Sequence, residues 1–218
     1  LLIALDVGAL APMIAFVGVV FMVFVKRPQA QHVGQILAGL GVLFIGMDMM
    51  SSSMSPLRDS EPFIRIMSTF SNPLLGILAG AAFTAVIQFT AVIQSSSASI
   101  GILQALANSG IIAYASSVFV LFGQNIGTCI TAVLASIGTN RNAKRATTIH
   151  LMFNLIGTAI FTTLFLIFPI TSVIDGSLVL PGGLGQAIAG LMPGTPAGQI
   201  ALTHTTFNIV TTLLLLPL

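Results

Sequence analysis

The stretch Thr90-Ala91-Val92-Ile93-Gln94-Ser95-Ser96-Ser97-Ala98-Ser99 places a run of amide and hydroxyl side chains inside a long apolar segment. A second run, Gly123-Gln124-Asn125-Ile126-Gly127-Thr128, is likewise flanked by apolar residues. In lipid an unsatisfied polar group costs several kcal/mol, so irregular polar backbone at depth persists only inside protein or beside a water-filled cavity. Two such interruptions in one hydrophobic chain point to a transporter binding site. The rest of the chain reads as scaffold for them.

Composition sets the class. Of 218 residues, 56% are apolar and only 6% charged, and the mean hydropathy is +1.06. Soluble domains carry about 25% charge. The chain is therefore expected to be an all-α membrane protein. A net charge of +2 gives no reason to invoke nucleic acid, and the single cysteine, Cys129, excludes a disulfide framework. The opening on Leu1 instead of Met is what a fragment would show.

Outward from the two runs, apolar spans are expected at Ile3 to Val25, Val33 to Met50, Ala146 to Phe168 and Ile200 to Leu216. The glycines of the second span, Gly34, Gly39, Gly41 and Gly46, suit close helix approach. Ser51 to Asn72 reads as a surface loop or interfacial helix, and Pro169 to Gly198 as a loop with a short helix near Ala187. Asn72-Pro73 reads as a helix start. Ile111 to Phe122 and Cys129 to Ile137 read as two half-spans separated by the second polar run.

Charge placement tests this layout. Lys26 and Arg27 form one short basic loop, and Arg141, Lys144 and Arg145 form another. The positive-inside rule puts both in the cytoplasm. Single crossings of the three intervening segments would leave the second loop outside. It returns inside if Pro73 to Asn108 enters and leaves on one face. That segment is therefore expected to be a re-entrant hairpin with the serine run at its tip. Its second arm, Ile100 to Ala107, rises only about 12 Å and cannot cross alone. The sequence Thr84-Ala-Val-Ile-Gln88 is repeated as Thr90-Ala-Val-Ile-Gln94, six residues on, which leaves either Gln88 or Gln94 for the tip.

Hydroxyls, amide oxygens and broken-helix carbonyls are neutral oxygen ligands suited to an alkali cation. Backbone N–H groups at helix ends suit an anion. Both at one depth would co-bind sodium and an anionic solute. Proton coupling has less support, because no Asp, Glu or His lies within the runs.

Gln94-Ser95-Ser96-Ser97-Ala98 followed by Gly123-Gln-Asn-Ile-Gly-Thr128 resembles the type II sodium/phosphate cotransporter family, in particular its bacterial branch. Gln124 replaces the small residue usual in that pattern, and the six-residue duplication is a second departure. The resemblance implies one half of an inverted-repeat transporter, each repeat giving one hairpin and one discontinuous helix. It implies phosphate and sodium held between hairpin tips, with Gln94, Ser95, Ser96, Ser97, Gln124, Asn125 and Thr128 as substrate and ion ligands. Sodium would take Gln94, Ser96, Ser97, Asn125 and Thr128. Residues 1–218 are then expected to be a single transmembrane domain, with 73–137 as the binding unit. The missing first repeat or a second copy of the chain, as a homodimer, would complete the site. The setting is the cytoplasmic (inner) membrane, with sodium as coupling ion and no other cofactor.

A further echo pairs His150-Leu-Met-Phe153-Asn154 with His204-Thr-Thr-Phe207-Asn208. His and Asn at i and i+4 share a helical face. A metal site lacks carboxylate or thiolate partners, so interhelical hydrogen bonding is the preferred reading. The competing functions are transport of another small anion and an intramembrane serine hydrolase using Ser97 with a histidine. The latter lacks a nucleophile-elbow pattern and an orienting Asp. No enzyme is expected.

Overall fold

The computed structural model describes residues 10–54, 56, 59–89, 96–167, 172–174, 177–179 and 195–217. Among the described residues, eight helices run in the order α1 (Ala11–Phe24), α2 (Pro28–Met54), α3 (Glu61–Thr69), α4 (Pro73–Phe89), α5 (Ser96–Asn108), α6 (Tyr114–Ser136), α7 (Arg141–Ile167) and α8 (Pro196–Leu215). A short antiparallel ladder, β1 (Ser172–Ile174) with β2 (Ser177–Val179), lies between α7 and α8. Among the described residues, α2, α6 and α7 are long and apolar enough to cross a bilayer, and the bent pair α3–α4 adds a fourth candidate. The chain is an all-α, multi-pass membrane protein. The span expected at Ile200 to Leu216 falls in α8, which does not reach that hydropathy. Its Thr203, Thr211, His204 and Asn208 instead make hydrogen bonds or lie buried inside the bundle.

Small residues decide how the helices pair. A Cβ on Gly18 of α1 would meet the backbone of Ala38, and one on Gly41 of α2 would meet Ala15. Gly34 lies against Gly18 and Met22, so α1 and α2 run antiparallel. Of the four glycines expected to allow close approach in α2, Gly34 and Gly41 do so. Gly39 and Gly46 have open space where a side chain would go.

The central assembly is α4 with α6. Gly76 abuts Phe119, Gly80 abuts the Val120 carbonyl, Gly123 abuts Ile77 and Ala81, and Gly127 abuts Ala81 and Thr84. Contacts advance in the same direction on both helices, so α4 and α6 are parallel. The helix between them, α5, runs the other way. Its Ser99 is bonded to Gln124, while Leu103 and Ala107 pack with Val120, Leu121 and Ile112 near the start of α6. Phe70, just ahead of α4, joins the same cluster. The two arms therefore begin and end beside the start of α6. This is the expected hairpin, and α5, about 20 Å long, cannot span the core.

The structure corrects the expected arms in two ways. Ser96 to Ser99 are helical, forming the first turn of α5, so the second arm starts four residues earlier than expected. More importantly, α6 passes through Gly123 to Thr128 without a break. The two half-spans are one helix of about 34 Å. The physical reason is visible in its contacts. Gly123 and Gly127 seat the backbone of α4, and the neighbouring polar side chains bond to helix carbonyls without unwinding anything. Ahead of the hairpin, α2 continues to Met54 and α3 turns by 106° into α4. Asn72 Oδ1 accepts from the Leu74 and Leu75 N–H groups, the cap expected at that start. The short helix expected near Ala187 lies outside the described residues.

α7 returns antiparallel to α6. Thr147 Oγ1 donates to the Ala132 carbonyl, Asn154 Nδ2 reaches Cys129 Sγ, and Thr158 Oγ1 donates to the Phe122 carbonyl. α8 is fixed at the hairpin base, where Asn108 Oδ1 accepts from Ala197 N–H and Gln104 Nε2 donates to the Ala197 carbonyl. Phe122, Phe161, Phe165 and Phe207 close the core behind the hairpin, with ring centroids 5.1–5.9 Å apart.

Candidate functional site

A cavity of about 170 Å³ lies where α5 begins, lined by Ser96, Ile100, Asn125, Thr128, His150, Phe153, Asn154, His204 and Asn208. Asn125 sits near the midpoint of α6, about 17 Å from either end. Binding sites at half-depth are where broken polar segments in transporters converge. Here the helix remains whole and the polarity comes from side chains.

Each side chain has a definite hydrogen-bonding role. Gln124, 2% exposed, donates through Nε2 to the Ser99 carbonyl at 2.9 Å and so ties α6 to the first turn of α5. Thr128 Oγ1 donates to the Gln124 carbonyl at 2.8 Å, and the residue lines the cavity. Ser99 Oγ donates to the Ser96 carbonyl. His204 Nε2 lies 2.9 Å from Asn125 Oδ1. A carbonyl oxygen can only accept, so the ring donates and carries a proton on Nε2. Asn125, 6% exposed, is left with an amide nitrogen that has no partner among the described residues. A buried amide N–H without an acceptor costs about 1–3 kcal/mol.

The sequence-derived residues divide accordingly. The structure brings Ser96, Asn125 and Thr128 to one cavity. Gln124 lies behind it as a tie to α5. Ser97 is in the same first turn of α5 but does not line the cavity. Gln94 and Ser95 lie outside the described residues. Gln88, the competing tip residue, is a buried side chain of α4.

Four polar lining residues carry no binding role in the sequence reading: His150, Asn154, His204 and Asn208. Their signal was the His-x-x-Phe-Asn echo itself. The expected interhelical bond exists for His204, which joins α8 to α6. Both echoes also converge on the cavity that holds Asn125 and Thr128. Among the described residues no three His, Cys, Asp or Glu side chains cluster for a metal.

A sequence profile described as Na+/Pi-cotransporter matches residues 1–52 and 59–191. The uncharacterized protein YqeW of Bacillus subtilis is 32% identical over 92% of this chain and 58% of its own length. YjbB of Escherichia coli, provisionally named for inorganic phosphate export, is 26% identical over 97% of this chain and 35% of its own. The human sodium-dependent phosphate transport protein 2B is 30% identical over 57% of this chain and 19% of its own. The chain thus spans little more than half, or less, of these relatives, and no solved structure matches it. The match runs through the hairpin, α6 and the first His-x-x-Phe-Asn echo, and on it the chain belongs to the Na+/Pi-cotransporter family.

Proposed function

We propose that the chain supplies one hairpin and one crossing helix of a sodium-coupled phosphate transporter in the cytoplasmic membrane. Residues 73–137 form its binding unit. A second such unit, from the rest of the protein or from another copy of the chain, completes the site. The observation that carries this reading is Asn125: a buried, unpartnered amide nitrogen beside a small polar cavity at mid-helix.

The first turn of α5 adds backbone N–H groups and the positive end of its dipole at Ser96 and Ser97. Phosphate would be held by these donors and by Asn125, without Arg or Lys in the core. Gln94 and Ser95 are part of the same tip in this reading. Asn125 enters it as an anion donor through Nδ2, while its Oδ1, which already accepts from His204, keeps a second lone pair for the sodium expected there from the sequence. Thr128 and Ser96 keep oxygen lone pairs for a cation. Chemistry on the substrate has no part in this reading.

Uptake of labelled phosphate into vesicles carrying the complete protein tests it, with sodium replaced by choline as the control. Sodium-dependent uptake that is lost in Ser96→Ala/Ser97→Ala, with membrane insertion retained, is the expected result. Uptake indifferent to both sodium and the double substitution would refute it. Because one relative is named for export, efflux from phosphate-loaded vesicles assigns the direction of flux.

A further inference from the structure

A primary amide has no preference of its own for which end it presents. Half a turn about its last torsion exchanges Oδ1 and Nδ2 at little steric cost, so a neighbour must choose. For Asn125 that neighbour is His204, whose Nε2 lies 2.9 Å from Oδ1. With a proton on Nε2 the ring donates, Oδ1 accepts, and Nδ2 is the end left without a partner among the described residues. A bare Nε2 would instead accept from Nδ2 and leave the oxygen as the free end. The proton on the ring thus decides which sign of charge the free end of Asn125 can meet.

The ring is held in place by ties on α8 that do not involve Asn125. Gln104 and Asn108, one turn apart on α5, grip the carbonyl and the N–H of Ala197 at the start of α8. Thr203 Oγ1 gives its hydrogen to the Gln199 carbonyl, so it accepts from the Tyr114 hydroxyl at 2.7 Å. Asn208 Nδ2 donates to the His204 carbonyl at 2.8 Å. Ala197 and Thr203 are both buried. These bonds fix the backbone of His204 and of the residue before it.

We propose that His204 is a positioning residue for Asn125: its Nε2 proton holds the amide with the nitrogen as the free end, the end an anion can use. It acts through Asn125 and need not touch the substrate. The identity of the anion comes from the transporter reading, on which this role rests, whereas the bond itself is measurable without any substrate.

Two measurements on the complete protein in detergent test the role. The first is nitrogen NMR of protein carrying nitrogen-labelled histidine, without phosphate, with the His204 signals identified by their loss in His204→Gln. The expected signature is a ring protonated on Nε2, which Asn125→Leu shifts by removing the acceptor. A ring protonated on Nδ1 alone, or one that Asn125→Leu leaves unmoved, overturns the proposal. The second is a double-mutant cycle on equilibrium binding of labelled phosphate. His204→Leu should weaken binding roughly tenfold, and adding it to Asn125→Leu should cost nothing further. His204→Gln keeps an N–H donor and should bind much as the wild type does; it carries the test if the leucine variant fails to fold. Additive losses, or a glutamine variant as weak as the leucine one, would mean that His204 does not act through Asn125. A wild type with the Nε2 signature that binds no phosphate would remove the transporter reading while upholding the positioning of Asn125.

Discussion

Two helix pairs in this molecule are joined by the same device and used differently. In α1–α2, Gly18, Gly34 and Gly41 bring two antiparallel helices into backbone contact, and the residues they meet are apolar: Ala15, Phe21, Met22 and Ala38. In α4–α6, Gly76, Gly80, Gly123 and Gly127 do the same for two parallel helices. There the contact is flanked by buried Thr84, Gln88, Gln124 and Asn125. Small residues permit close approach wherever lipid gives no hydrophobic drive to association. They do not by themselves mark a site. What separates the two pairs is polar side chains at mid-depth, which lipid penalises and a ligand can use.

The comparison is sharpened most by topology, where the outcome is all or none. In a Cys129→Ala background, cysteines replacing Ser71 and Ser109 should label from the same face of the membrane. Labelling from opposite faces would dissolve the hairpin and the parallel α4–α6 pair with it. Next come the glycines themselves. A methyl on Gly80 or Gly123 would strike backbone carbonyls of the facing helix, so Gly80→Ala and Gly123→Ala should each cost about 3 kcal/mol or prevent folding. Gly18→Ala should cost a similar amount, by the same thermal measurement. Wild-type stability in all three would mean that the contact is looser than described.

A smaller effect is expected at Gln124. Gln124→Leu removes the donor to the Ser99 carbonyl, but it also removes a buried oxygen that has no partner among the described residues. The net cost should be about 1–2 kcal/mol. Retained stability would show that the tie between α6 and α5 is not needed. The smallest effect is expected where the glycines face open space. Gly39→Ala and Gly46→Ala should leave Tm unchanged or raise it by the equivalent of about 1 kcal/mol, the usual helix preference for Ala over Gly.

Much of the hairpin is legible in the sequence. Lys26–Arg27 and Arg141–Arg145 had to share a side, and only a segment that returns to its own face satisfies both loops. The unbroken α6 was not legible, because glycine spacing fits both an unwound helix and a tightly packed one. The deciding fact is a partner in space: Gly123 and Gly127 meet α4, and the neighbouring Gln124 meets a carbonyl 25 residues away in sequence. The cavity was hidden for the same reason. The echo at His150–Asn154 and His204–Asn208 can be seen in the sequence. Its convergence on Asn125 depends on α6, α7 and α8 meeting across 79 residues, which no local pattern encodes.

The central claim is that Asn125 is an anion donor in a cavity shared with a cation. Equilibrium binding of labelled phosphate to the complete protein, titrated with sodium for the wild type and for Asn125→Leu, tests it most directly. The account predicts that wild-type affinity rises with sodium, and that Asn125→Leu weakens phosphate binding roughly tenfold or more at saturating sodium. Phosphate binding indifferent to sodium, or an Asn125→Leu protein that binds phosphate like the wild type, would contradict it.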